Sequence, residues 1–210
     1  MNQHRFIENL MELLLDGLPG YSAQKNMEPP LRNMIPVSEK PVRKAATMLP
    51  LYYQEGWKFI LIQRSSHPLD KHKGQISFPG GSIESKECAA TAALRETEEE
   101  VSIPRTQVQL IGKLSDLFIP VSNFNVSPHI GLVDMEGITL KAQATEVQKI
   151  IHVDLNQFME DSAIQFKDMK MQNGMLIKNV PYFNLSNEIV WGATAMMLSE
   201  FRTICKRIAK

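Results

Sequence analysis

The chain is poor in cysteine, has no net charge and lacks a long apolar run, and each shortage removes a class of protein. Cys88 and Cys205 are the only two cysteines in 210 residues, and they form no CxxC pair. That argues against a disulfide scaffold or a zinc site and for a reducing compartment. Both thiols are expected to be inert packing residues. Lys and Arg number 23 against 23 Asp and Glu, so no global field draws the chain to nucleic acid or to an anionic membrane. A basic stripe and a helix-turn-helix extension are missing too, and a phosphorylated ligand would have to be held by local charges. No stretch reaches the roughly 20 apolar residues of a membrane span. Between Met1 and Gly17, Glu8, Glu12 and Asp16 interrupt what a secretory apolar region would need, and Ala209-Lys210 is not a peroxisomal address. The expected location is cytoplasmic.

With 43% hydrophobic residues, no internal repeat and no low-complexity linker, the composition predicts a single domain with a substantial core. Phe6, Leu10, Leu13 and Leu14 recur at helical spacing and predict an amphipathic N-terminal helix that Gly17 and Pro19 end. From residue 18 to about Arg43, Pro29, Pro30, Pro36 and Pro41 predict an extended, irregular linker. The division expected is therefore 1–42, a helix and linker packing on the core, and 43–210, the main domain. Ala45–Tyr53 and Trp57–Arg64 read as strands joined at Gln54-Glu55-Gly56. Ala89–Val101 reads as helix, Val108–Phe118 and Asn125–Val133 as strands, Val147–Val153 as a short strand and Leu155–Met159 as a helical turn. A hairpin is expected around Asn173-Gly174 within Gln165–Phe183, and a last helix over Glu188–Ile208 with Trp191, Ala195, Leu198, Arg202 and Cys205 along one side. Strands flanked by two main helices predict an α/β sandwich with a central sheet.

The chemistry concentrates in Gly81-x5-Glu87-x7-Arg95-Glu96-Thr97-x-Glu99-Glu100-Val101-Ser102-Ile103. Positions i, i+3 and i+4 share one helix face, so Glu96, Glu99 and Glu100 stack within a turn and repel unless a cation sits among them. Oxygen-rich clusters suit hard divalent ions. A run of glutamates alone more often marks a solvated helix face. Six fixed residues in one frame, a coincidence on the order of one in 10⁷ per starting position, move the balance toward a metal site. Arg95, four residues before Glu99, is placed to hold that carboxylate by a charge-assisted hydrogen bond. Glu87 is about half a turn out of phase with Glu96 and is expected to act from the loop, as an auxiliary ligand or by a hydrogen bond to that loop.

This frame resembles the box of the Nudix hydrolases, enzymes that cleave nucleoside diphosphates linked to another moiety. Thr97 stands where a larger aliphatic residue is usual, and Ser102 replaces the glycine that favours a left-handed helix end. Upstream, Ile60-Leu61-Ile62-Gln63-Arg64-Ser65, Leu69 and His72-Lys73-Gly74-Gln75-Ile76-Ser77-Phe78-Pro79-Gly80-Gly81 are similar to the signature of the coenzyme A pyrophosphatase branch, with Ile62 at the usual Thr position. Val126-Ser127-Pro128-His129-Ile130-Gly131 and Trp191-Gly192-Ala193-Thr194-Ala195 are similar to members of that branch as well.

The resemblance implies an α/β/α sandwich with a mixed central sheet. It also implies Mg²⁺ or Mn²⁺ held by Glu96, Glu99 and Glu100 with help from Glu87. The catalytic set would be Glu99, Glu96, Arg95 and Glu146, the general base being either a glutamate of the box or the loop acid Glu146. The substrate contacts would be Arg64 as a bidentate phosphate clamp, Gly80 and Gly81 at the phosphates, and Lys71, His72 and Lys73 at the 3′-phosphate of coenzyme A. The expected reaction is hydrolysis of coenzyme A or acyl-CoA to adenosine 3′,5′-bisphosphate and (acyl-)4′-phosphopantetheine. The alternatives are a pyrophosphatase for ADP-ribose, NADH or another nucleoside diphosphate derivative, and a non-catalytic nucleotide-binding module. Small molecules, not nucleic acid or membrane, are the expected partners. The first and last helices are the surfaces on which a homodimer would form.

Overall fold

The computed structural model describes residues 3–32, 39–65, 74–170 and 174–208. In β1 (Arg43–Tyr53) the apolar run from Ala45 to Tyr52 is covered on both sides, as befits a central strand. Side chains alternate along it. Leu49 and Leu51 join one core, whereas Ala46, Met48 and Tyr52 join clusters on the other face. β2 (Trp57–Arg64) returns antiparallel through the turn at Glu55 and Gly56, both at positive φ. β7 (Phe124–Val133) lies parallel to β1 on its other side, and β5 (Val108–Lys113) and β6 (Leu117–Ile119) add to β7. β8 (Val147–Asp154) and β3 (Ile76–Ser77) pair with β2, and β4 (Gly80–Ser82) pairs with the start of β1. The result is one mixed sheet of eight strands. A second, antiparallel sheet orders β11 (Glu188–Trp191), β10 (Leu176–Leu185) and β9 (Ile164–Lys170).

One helix covers one face and two cover the other. α3 (Ala89–Val101) lays Ala92 and Ala93 on Ala46 and Met48, and these small side chains bring its backbone close to β1 and β4. On the far face α1 (Gln3–Leu15) buries Phe6, Leu10 and Leu14, and α5 (Gly192–Ile208) buries Ala195, Leu198, Phe201, Ile204 and Cys205 in the same core. The apolar sides of α1 and α5 are thus consumed within the chain. Phe158, on α4 (Leu155–Met159), packs between Phe59, Phe183 and Phe201 at ring separations of 5.2 to 6.1 Å. Truncating such a ring to alanine costs about 3–5 kcal/mol.

Four segments depart from expectation. The linker is not uniformly extended: α2 (Tyr21–Gln24) and a 3₁₀ turn at Lys25–Met27 precede its prolines and bury Ala23 and Met27. The expected strand Val108–Phe118 is two strands, because pairing with β7 is interrupted at Leu114–Asp116, beyond which the chain resumes along β7 in the same direction with its register shifted by one residue. Glu188–Trp191 pairs with β10 as a strand, and the helix starts only at Gly192. Ser186 and Asn187 at positive φ make the tight turn that allows this pairing. Cys88 is exposed at the start of α3 rather than packed, with its thiol pKa lowered mainly by the Thr91 hydroxyl. Cys205 is buried, and burial raises its pKa. β9 and β10 form the expected hairpin. Gly174 of its expected turn is at positive φ, and Asn173 lies outside the described residues.

Candidate active site

Three elements meet where β1 carries Ala46 and Thr47. β4 brings Gly80 and Gly81 against these residues, α3 lies across them, and the loop before β8 carries Glu146. Carboxylate oxygens of Glu96, Glu100 and Glu146 fall within 4.8 Å of one another. Glu100 is 1% exposed, and Glu146 is open to solvent. Both glycines serve this packing. A Cβ on Gly80, at φ +153°, would collide with the Ala46 carbonyl and Thr47, and one on Gly81 would overlap the Glu96 carboxylate. The space a side chain would need at these two positions is taken by β1 and by the Glu96 carboxylate.

Electrostatics divide the glutamates. Arg95 is the hub for three of them, donating to Glu87 at 2.8 Å, Glu96 at 2.9 Å and Glu99 at 3.0 Å. The bonds to Glu87, first, and to Glu96 raise its own pKa against the opposing effect of burial. Glu87 sits in the loop before α3 and also accepts from the Glu84 amide at 2.7 Å, so the Arg95 and Glu84 hydrogen bonds hold its pKa down. Glu96 is pushed up by burial, with Arg95 opposing and the Glu99 and Glu146 charges adding to the rise. Glu100 is pushed up to about 8, first by burial; the Gly80 amide at 2.9 Å and Arg64 at 4.0 Å oppose this, while Glu96 and Glu146 add to it. Glu99 lies outside the converging trio, with its side chain 55% exposed.

A buried carboxylate raised by burial and by like charges is a site short of positive charge. Three oxygen donors within a few ångströms, with no sulfur or imidazole among them, match the preference of a hard divalent cation. The residues therefore fit such an ion.

The sequence placed Glu96, Glu100 and Arg95 in one helix, and the fold adds Glu146 from 46 residues downstream of Glu100. Arg64 ends β2 on the same side and faces Glu100. Lys71, His72 and Lys73 lie outside the described residues. Ser65 was not singled out as a site residue: its amide donates to the Glu146 carbonyl and its hydroxyl to that of Thr145. Its place at the end of the strand that carries Arg64 was the available signal. Ser102 takes the left-handed conformation (φ 60°, ψ 35°) that glycine would adopt more easily, and its hydroxyl donates to the Lys141 carbonyl at 3.2 Å. Thr97 is fully buried and returns its hydroxyl to the Ala93 carbonyl at 2.7 Å. No described helix is long and apolar enough to cross a membrane.

Residues 42–170 match the NUDIX domain. The chain is 33% identical over 159 residues to "Uncharacterized Nudix hydrolase NudL" of Photorhabdus laumondii subsp. laumondii, an alignment covering 75% of this chain and 82% of that protein. It is 32% identical to the protein of the same name from Enterobacter sp., over 75% of this chain and 80% of that one. Among solved structures, a MutT/nudix family protein from Enterococcus faecalis superposes with a TM-score of 0.50 at 14% identity, covering 89% of this chain and 73% of that one, a likeness of fold alone. Members of this family generally work with divalent metal ions on small nucleotide diphosphate substrates. The α/β/α fold, the carboxylate trio on and beside α3, and the match over most of the sheet together make this chain a member of the Nudix family, a hydrolase of pyrophosphate bonds.

Proposed function

We propose that the protein hydrolyses the diphosphate of coenzyme A or acyl-CoA with Mg²⁺ or Mn²⁺, releasing adenosine 3′,5′-bisphosphate and (acyl-)4′-phosphopantetheine. The observation that carries the metal part is the convergence of Glu96, Glu100 and Glu146 within 4.8 Å. The coenzyme A part rests on the segment from Ile60 to Gly81 and its basic loop. Glu96 and Glu100 would hold the ion, with the Glu146 carboxylate beside it adding to its affinity, Glu99 available at the open side and Glu87 acting through Arg95. Bound there, a divalent ion supplies neutralisation of diphosphate charge and a more acidic water.

The chain's own residues do the rest. Arg95 fixes the rotamers of Glu96 and Glu99 so that their oxygens are preorganised. Glu146, on a loop and open to solvent, would act as general base and accept the proton of the attacking water. Arg64 presents a planar guanidinium beside Glu100, suited to clamp a phosphate bidentately. Lys71, His72 and Lys73 supply positive charge for the 3′-phosphate. Residues 1–42 serve as a segment packed on the catalytic domain, and the protein works in the cytoplasm.

The test is a hydrolysis screen with Mg²⁺ and with Mn²⁺ over coenzyme A, dephospho-CoA, ADP-ribose and NADH, with products identified by mass. Adenosine 3′,5′-bisphosphate from coenzyme A, with slow turnover of dephospho-CoA, is the expected result. Equal cleavage of dephospho-CoA and ADP-ribose would discard the coenzyme A assignment and keep the pyrophosphatase. Glu99→Gln is expected to abolish turnover with the fold intact; retained activity would remove Glu99 from the metal set.

A further inference from the structure

Glu146 differs from its partners in the trio because no helix carries it. Its position depends on how the loop 141–146 is fastened, and the fastenings are few and specific. At one end the loop is tied to the last turn of α3: the Lys141 amide donates to the Val101 carbonyl at 3.2 Å and the Gln143 amide to the Glu100 carbonyl at 3.0 Å. Within the loop, the amides of Glu146 and Val147 both donate to the Gln143 carbonyl, at 2.9 and 2.8 Å, and the Thr145 amide to the Gln143 side-chain oxygen at 3.2 Å. At the other end, where Arg64 pairs with Val147, Ser65 supplies two bonds to adjacent carbonyls: its amide to Glu146 at 2.8 Å and its hydroxyl to Thr145 at 2.7 Å.

We infer that Ser65 is a positioning residue for Glu146, whose hydroxyl clamp on the Thr145 carbonyl holds the Glu146 carboxylate in register with Glu96 and Glu100. The inference rests on the functional reading of Glu146 given above. The amide bond from Ser65 is available to any non-proline residue, and the second bond requires a hydroxyl. With the carbonyls of residues 145 and 146 both fixed, the peptide between them loses its freedom to rotate, and the direction in which the Glu146 side chain leaves the backbone is set. Arg64, the preceding residue, faces Glu100. The end of β2 therefore sets two members of the site at once, Arg64 toward the helix and Glu146 through the loop.

The experiment is a double-mutant cycle of Ser65→Ala and Glu146→Gln with Ser65→Thr as the rescue variant. It is read in two ways: Mn²⁺ affinity of the protein alone by electron paramagnetic resonance, and kcat and KM for coenzyme A. A side-chain hydrogen bond of this kind corresponds to about a three- to tenfold effect. Ser65→Ala is expected to lower kcat and weaken Mn²⁺ binding by about that factor with KM kept. Ser65→Thr should restore both, and Ser65→Ala should add nothing once Glu146 is glutamine. If Glu146→Gln is impaired and Ser65→Ala adds its full loss on top, Ser65 acts elsewhere and the inference is overturned while the reading of Glu146 stands. If Glu146→Gln alone has wild-type turnover and Mn²⁺ affinity, the reading of Glu146 fails and takes the inference with it.

Discussion

Glu100 on α3 and Glu200 on α5 lie on opposite faces of the sheet, 1% and 0% exposed, and the fold treats them in opposite ways. Glu200 accepts four hydrogen bonds: from the Gly20 amide, the Gln24 side chain, and the Ser115 amide and hydroxyl, at 2.7 to 3.2 Å. Three segments distant in sequence are sewn together through it, and its charge is answered inside the chain. Glu100 receives one amide, from Gly80, and Arg64 comes no closer than 4.0 Å, while two further carboxylates crowd it. Buried charges are costly unless compensated. A fold that satisfies one carboxylate so fully and leaves the other short of positive charge distinguishes a structural anion from one kept for a cation.

The sharpest way to break that contrast is Glu100→Gln. An amide oxygen can still accept from the Gly80 amide, and no charge remains to be desolvated. Turnover should fall by on the order of 10³-fold, the scale of removing a transition-state charge stabiliser. Thermal stability of the metal-free protein should hold or rise. A marked drop in Tm would show that the Glu100 charge is structurally satisfied after all. Glu200→Ala should do the reverse. It removes the acceptor of the Gly20 and Ser115 amides, leaves Gln24 only its bond to the Ser115 carbonyl, and should cost about 3–5 kcal/mol in urea unfolding, with kcat per folded molecule kept. Loss of kcat without loss of stability would make the two glutamates alike.

Gly81→Ala tests the same site from the strand side. The new methyl would occupy the space of the Glu96 carboxylate, whose end must then move. About 10- to 100-fold loss of kcat is expected, because a displaced ligand is costly even when the shift is small. Gly80→Ala, which meets the Ala46 backbone and Thr47, should instead be read mainly in stability. If Gly81→Ala is harmless to turnover, the position of Glu96 against β4 carries no catalytic weight.

These sites differ in how far the sequence disclosed them. Helix α3 was legible to the residue, because alanine-rich sequence and the glutamate frame speak locally, and β1, β2, β7 and β8 were legible from their apolar runs. Glu146 was named only as a loop acid, since nothing local says that its carboxylate returns to Glu100. The Glu200 clasp was invisible for the same reason: its donors come from residues 20, 24 and 115. The helical turn at Tyr21–Gln24 was missed because its stability comes from that tertiary clasp and not from propensity. Glu188–Trp191 read as helix because its apolar residues fit both periods, and only the turn at Ser186-Asn187 decides for the strand.

The smallest expected effect lies away from both glutamates, where Tyr52 and His152 meet at 2.6 Å. Burial first, then Asp154, pushes the Tyr52 hydroxyl up to about 12, so it stays protonated and donates. Nδ1 of His152 must then accept, which requires the neutral ring, and burial first, then Lys58, lowers its pKa below the usual 6.5. The sign follows from that depression. The unfolded chain takes up a proton at higher pH than the folded one, so this contribution to stability is complete above pH 6.5 and is lost as pH falls through 6.5 toward the folded value. His129, lowered chiefly by burial, contributes with the same sign. His152→Gln keeps an acceptor for Tyr52 and removes the titration. Its Tm should fall less steeply than that of the wild type between about pH 7 and 5, with His129 supplying the remaining slope. Parallel curves for the two proteins would mean that His152 is free to protonate in the folded state, and that Tyr52 can turn its hydroxyl elsewhere.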